Sequence, residues 1–152
     1  MTKTITALLA ALLFFGAGTG VKANTVSAQQ NDGYQLIVNK SNTVAKLTRT
    51  FVSDAYLKKV SRWPNGKAIQ PVDMPTRSPV RKQFSNSIMQ KPPAAVRNYW
   101  TQLVFGGRDV PPPEVKSDEA VIAWVAKRPG AIGYISIYAD TDKVRAVTVA
   151  GK

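Results

Sequence analysis

All ten prolines of this 152-residue chain fall between positions 64 and 129, and they dictate how it can be divided into elements. Proline fixes φ and has no N–H, so it opens helices, ends them, or sits on sheet edges. Trp63-Pro64-Asn65-Gly66 reads as a turn, since Asn-Gly tolerates positive φ. Pro71 restricts the strand expected over 68–73 to an edge position or a short piece. Ser78-Pro79 is a helix start, with serine as N-cap and proline at the first helical position. Val80, Phe84 and Ile88 follow as one apolar stripe. Pro92-Pro93 ends that helix and opens the next, in which Val96, Tyr99, Trp100, Leu103 and Val104 are expected to face the core. Gly106-Gly107 stops it. Three consecutive prolines, Pro111, Pro112 and Pro113, make 108–115 an extended loop.

The flanking segments are simpler. Residues 34–39 (YQLIVN) suit a buried strand. Thr48 can cap a helix running to about Lys58, with Phe51, Ala55 and Tyr56 on one face. Ser117 caps a further helix, with Asp118 and Glu119 well placed in its first turn and Val121, Trp124 and Val125 expected to be buried. Two more strands are expected over 131–137 and 144–149. Strands alternating with helices point to an α/β fold, a three-layer sandwich around a mixed or mostly parallel sheet.

Residues 1–23 read as a signal peptide: Lys3, an apolar run over 5–15, helix-breaking glycines, then Val21-Lys22-Ala23. A second cut could follow Ala28. The apolar run is shorter than the roughly 20 residues of a bilayer span, so no stable membrane insertion is expected after cleavage. Cleavage after Ala23 removes two lysines and no acid, leaving 129 residues with 19 basic and 9 acidic side chains. Residues 24–33 are polar and expected to be a disordered lead-in. Residues 34–152 form one domain, and the bacterial periplasm is the expected address.

Composition then narrows the chemistry. With no cysteine and no histidine, the chain has no thiol nucleophile, imidazole base, catalytic triad or ordinary zinc site. Binding is favoured over catalysis, no cofactor is expected, and the 21 basic residues against 9 acidic ones point to an anionic partner. A secreted address argues against nucleic acid.

The most informative stretch is Thr76-Arg77-Ser78-Pro79-Val80-Arg81-Lys82. Helix starts carry partial positive charge and ordinarily attract acids; here three cations crowd one and no acid does. A bound anion would offset the repulsion. Arg77 and Arg81 could clamp it, with the Thr76 and Ser78 hydroxyls donating. The same residues also read as a solvated basic face with Ser78 only a cap. Gly106-Gly107-Arg108 as a phosphate cradle, Lys58-Lys59 with Arg62 and Trp63 as a nucleic-acid face, and the pairs Asp118-Glu119 and Asp140-Asp142 are weaker signals. Each has a structural reading as helix stop, turn anchor, helix-start acids or turn.

In order along the chain, several motifs resemble those of phosphate ABC transporter substrate-binding proteins, which have the type 2 periplasmic-binding-protein fold. Leu36, Ile37, Val38 and Asn39, then Asn42 and Leu47-Thr48-Arg49, resemble I-V-N-P-x-N followed by L-S-R. Residues 56–63 (YLKKVSRW) resemble I-F-x-G-K-x-x-x-W, with Lys58 at the glycine. Pro71-Val72-Asp73, the helix from Ser78 to Phe84, Tyr99-Trp100, and finally residues 129–134 (PGAIGY) complete the set. The resemblance covers about residues 34–137 and implies one lobe of a two-lobed fold. It also implies a non-enzymatic, periplasmic, phosphate-binding function with Thr76, Arg77, Ser78 and Arg81 at the ligand. The family's phosphate loop, R-x-D-G-S-G-T, retains only Ser78: Met74, Thr76, Arg77, Pro79 and Val80 stand at its Arg, Asp, two Gly and Thr. A lone lobe with this loop implies weak binding of phosphate or another small oxyanion, or a partner surface as the second wall. The alternative is an interaction module for an envelope or signalling protein that has lost its ligand.

Overall fold

A computed structural model of the chain describes residues 33–151. The expected signal peptide and nearly all of the expected lead-in lie outside the described residues. Five strands and four α-helices follow: β1 (Tyr34–Val38), β2 (Lys46–Thr48), α1 (Arg49–Tyr56), β3 (Gln70–Pro71), α2 (Pro79–Phe84), α3 (Pro93–Phe105), α4 (Asp118–Ala126), β4 (Ala131–Ser136) and β5 (Arg145–Ala150). A π-helical turn, Ser85–Met89, continues α2 directly.

The sheet order is β2-β5-β1-β4-β3. β1 is antiparallel to both β4 and β5, whereas β2 runs parallel to β5 and β3 parallel to β4. Four strands therefore point one way, and the central β1 points the other. Pro71 sits on the edge strand, as a residue without an N–H must. Its neighbours Gln70 and Val72 donate inward to the Gly130 and Ile132 carbonyls, both at 3.0 Å.

Neighbouring residues of β4 face opposite sides, as strand geometry requires, and both sides are covered. Gly133 lies under α4: a Cβ built there would come within 2.6 Å of Val121 Cγ1 and 3.1 Å of Val125 Cγ2. Tyr134 stacks on Phe84 of α2, with ring centroids 3.9 Å apart, and Phe84 meets Tyr56 of α1 at 4.8 Å. Helices on both faces make three layers, and β4 is buried throughout Ala131–Ile135.

Caps set the helix starts. Thr48, Ser78 and Ser117 side chains accept from the amides of Phe51, Arg81 and Ala120. α1 stops at Tyr56 because Lys58 takes a left-handed φ of 52°, at the position where the resemblance places glycine. Trp63 anchors its turn from the core, Nε1 donating to the Gly130 carbonyl at 3.0 Å.

Some expectations shift. α2 buries Arg81, Phe84, Ser85 and Ile88, spaced i, i+3, i+4, i+7, and leaves Val80 only half-buried. Phe84 and Ile88 are buried as expected, and in the first turn Arg81 is buried in place of Val80. Val104 is 48% exposed rather than in the core. Trp124 is half-buried because Arg128 covers its ring, the guanidinium lying 3.6 Å from the centroid.

Candidate functional site

The site grows from the edge of the sheet. Past β3 the chain continues through Val72 to Asp73, whose N–H donates to Pro113 O and whose carbonyl accepts from Val115 N, both at 2.9 Å. This short parallel ladder pins the proline loop beside the β3–α2 connection. A turn closed by Ser78 N–H to Pro75 O at 2.8 Å then delivers the chain to α2.

Asp73 and Arg81 form a buried ion pair, with side chains 5% and 4% exposed. Tyr134 donates its hydroxyl to Asp73 Oδ1. The Met74 N–H is shared between Asp73 Oδ1 at 2.8 Å and the Tyr134 oxygen at 3.1 Å. Arg81 Nη1 also donates to the Met74 carbonyl at 3.0 Å. Burial lifts the Asp73 carboxyl above its usual value, although Arg81, Tyr134 and the Met74 amide all pull it down. Burial opposes the Arg81 charge, but Asp73 and Tyr134 together more than offset this and hold the guanidinium above its ordinary range. Burial, with Asp73 adding to it, raises the Tyr134 phenol well above its normal value, so it stays a donor.

Next to this pair is a cavity of about 250 Å³. Its polar wall is Asp73, Thr76, Arg81, Arg97, Thr101 and Glu114; Trp100, Val104, Phe105, Pro111 and Pro112 form the apolar side. Three separate segments meet there: the β3–α2 connection running into α2, α3 from Arg97 to Phe105, and the proline loop. Arg81 Nε is buried without a hydrogen-bond partner.

Of the four residues read from the sequence, the structure brings Thr76 and Arg81 together in the cavity wall. Arg77 is exposed and outside the lining. Ser78 spends its hydroxyl locally, accepting from Arg81 N at 3.3 Å and donating to Met74 Sδ at 3.3 Å. Arg81 is thus not a free surface cation, and Pro79 contributes no N–H to the helix start. Sequence reasoning gave Asp73, Arg97, Thr101 and Glu114 no site role. One signal was available: Asp73 is the only acid between Asp54 and Asp109, within a strongly cationic stretch.

The weaker sequence signals have local roles. Lys58 pairs with Asp109 at 2.7 Å and Lys59 with Asp54 at 3.8 Å, while Trp63 is buried. Gly107 takes φ of 61° where α3 ends. Asp118 accepts from Ser136 N at 3.1 Å, and Asp140 from Asp142 N at 2.9 Å. Among the described residues no three acidic, cysteine or histidine side chains cluster to hold a metal, and no helix is long and apolar enough to cross a membrane.

No protein-family model and no curated protein sequence matches the chain. Solved structures do. A phosphate ABC transporter substrate-binding protein with bound phosphate from Clostridium perfringens is 27% identical, with a TM-score of 0.62 over 77% of this chain and 44% of that one. An ABC-type phosphate transport receptor from Vibrio cholerae is 22% identical, with a TM-score of 0.60 over 77% and 46%. PstS from Borrelia burgdorferi is 15% identical, with a TM-score of 0.54 over 77% and 47%. The chain spans less than half the length of each of these structures, so what it resembles is one portion of a phosphate ABC transporter substrate-binding fold.

Proposed function

We propose that this chain is a non-enzymatic, periplasmic solute-binding-like protein that takes phosphate or another small oxyanion at the start of α2, through Thr76 and Arg81. The observation that supports this reading best is the cavity wall that brings Thr76 and Arg81 together at the start of α2. A hydroxyl and a guanidinium both donate to an oxyanion. No acid occupies the first turn of α2, so the helix start adds no repulsion. The phosphate-bound neighbour of similar fold lends further support.

Affinity should be modest. Asp73 already neutralises Arg81, and one lobe offers one wall. Calorimetric titration with phosphate and sulfate at low salt is the test. Binding that weakens on Thr76→Val is expected; absence of heat with both anions refutes the reading.

One observation favours a second reading, an interaction module for an envelope protein. At the cavity rim Phe105 is 88% exposed and Val104 48%, with Val110 nearby at 62%. Exposed apolar side chains grouped in this way suit a protein contact. Loss of an envelope partner on Phe105→Ser, with no anion binding by the wild type, would favour that reading.

A further inference from the structure

The cavity has a charge pattern unlike that of the whole chain. The sequence carries 21 basic and 9 acidic side chains, yet the cavity wall holds two of each, Arg81 and Arg97 against Asp73 and Glu114. Asp73 and Arg81 neutralise one another. Among the described residues neither Arg97 nor Glu114 enters an ion pair. One cation and one carboxylate therefore border the same space without a protein partner.

Size gives a second constraint. At about 250 Å³ the cavity is far larger than a single small ion requires. A five-atom oxyanion would leave most of it empty. Trp100, Val104 and Phe105 line it on the α3 side, so its remaining volume suits an apolar body. Small-molecule sites combine an apolar wall with a few converging polar groups in this way.

We infer that the cavity binds a free α-amino acid with an apolar side chain. The inference rests on the oxyanion reading above, the oxyanion being the ligand's carboxylate. That carboxylate accepts from Arg97 and from the Thr76 hydroxyl. The ammonium group is matched by Glu114, and the side chain packs on Trp100, Val104 and Phe105. Such a zwitterion answers both wall charges that lack an ion-pair partner. Inorganic phosphate leaves Glu114 facing like charge, and a purely apolar molecule leaves Arg97 and Glu114 both unanswered.

The test is calorimetric titration of the purified protein with L-leucine, L-phenylalanine, isocaproate (no ammonium), isoamylamine (no carboxylate) and inorganic phosphate. The amino acids should bind, and removing either charged group should weaken binding about tenfold or more. Arg97→Ala and Glu114→Gln should each weaken leucine binding to a similar extent, and both replace exposed side chains without ion pairs. The two variants should also separate: Arg97→Ala should lose most of its preference for leucine over isoamylamine but keep that over isocaproate, and Glu114→Gln should do the reverse. Phosphate binding without amino-acid binding overturns this inference and leaves the oxyanion reading standing. Leucine binding unchanged in both variants also overturns it. No binding of any of the five overturns both.

Discussion

Arg81→Met probes the interaction on which the site is built. It removes the guanidinium from a pair whose side chains are 4% and 5% exposed, leaving a buried carboxylate without its counter-ion. Breaking a buried pair in this way costs about 3–5 kcal/mol. Asp73 keeps two donors, the Tyr134 hydroxyl and the Met74 N–H, which places the expected loss at about 3 kcal/mol, the lower end. The loss should depend on pH, and its sign follows from the carboxyl. Burial already lifts Asp73 above its usual value, and Arg81 is the strongest influence lowering it. Removing Arg81 therefore raises the folded-state pKa further. A carboxyl raised on folding contributes most below the unfolded value of about 3.9, and that contribution declines as pH rises through the folded pKa. The Arg81→Met deficit should accordingly be largest at neutral pH and shrink at pH 5. Asp73→Asn combined with Arg81→Met removes both charges while keeping an acceptor for Tyr134 and Met74, so it should recover most of the loss. Urea unfolding followed by tryptophan fluorescence at pH 7 and pH 5 measures all three variants. A deficit below about 1 kcal/mol at pH 7, the scale of an exposed pair, would refute the reasoning, as would a deficit equal at both pH values.

Three further predictions address the scaffold. Gly133→Ala places a methyl 2.6 Å from Val121 Cγ1 and should cost about 1–3 kcal/mol by overpacking, measured as a lower urea midpoint. At Lys58, φ of 52° reverses the usual order of small residues. Lys58→Gly should be more stable than Lys58→Ala by about 1 kcal/mol, and equal stability or the opposite order would show that the left-handed conformation is not retained. Ser117→Ala removes the acceptor for Ala120 N and should lower stability by about 1 kcal/mol, read by thermal melting.

What the sequence disclosed was local. Thr48, Ser78 and Ser117 could be read as caps because a cap needs only a hydroxyl placed ahead of a helical pattern. Pro71 announced a sheet edge because it lacks an N–H, and Gly106-Gly107 announced a stop. β2 escaped notice because it is three residues long with Leu47 alone buried. The reversal of β1 against its neighbours is a matter of long-range pairing, which strand composition does not encode. Within the site, the helix start and its cations were visible, but the burial of Arg81 was not. It depends on Asp73, eight residues earlier across a turn, and on Tyr134, which reaches the same carboxylate from β4. Arg97, Trp100 and Glu114 come from a different helix and from a loop, so only the fold places them beside Thr76. The π-helical turn at Ser85–Met89 also lay beyond a periodicity argument, since Phe84 and Ile88 are buried on the expected stripe.

Small-solute binding centres on the cavity between α2, α3 and the proline loop in this proposal, rather than on diffuse positive charge. Amide-resolved NMR titration with phosphate and with L-leucine separates the two. Saturable shifts concentrated at residues 74–81, 97–105 and 111–115 are expected. Shifts spread over the surface lysines and arginines, collapsing with added salt and sparing Thr76, Arg81 and Arg97, would contradict it.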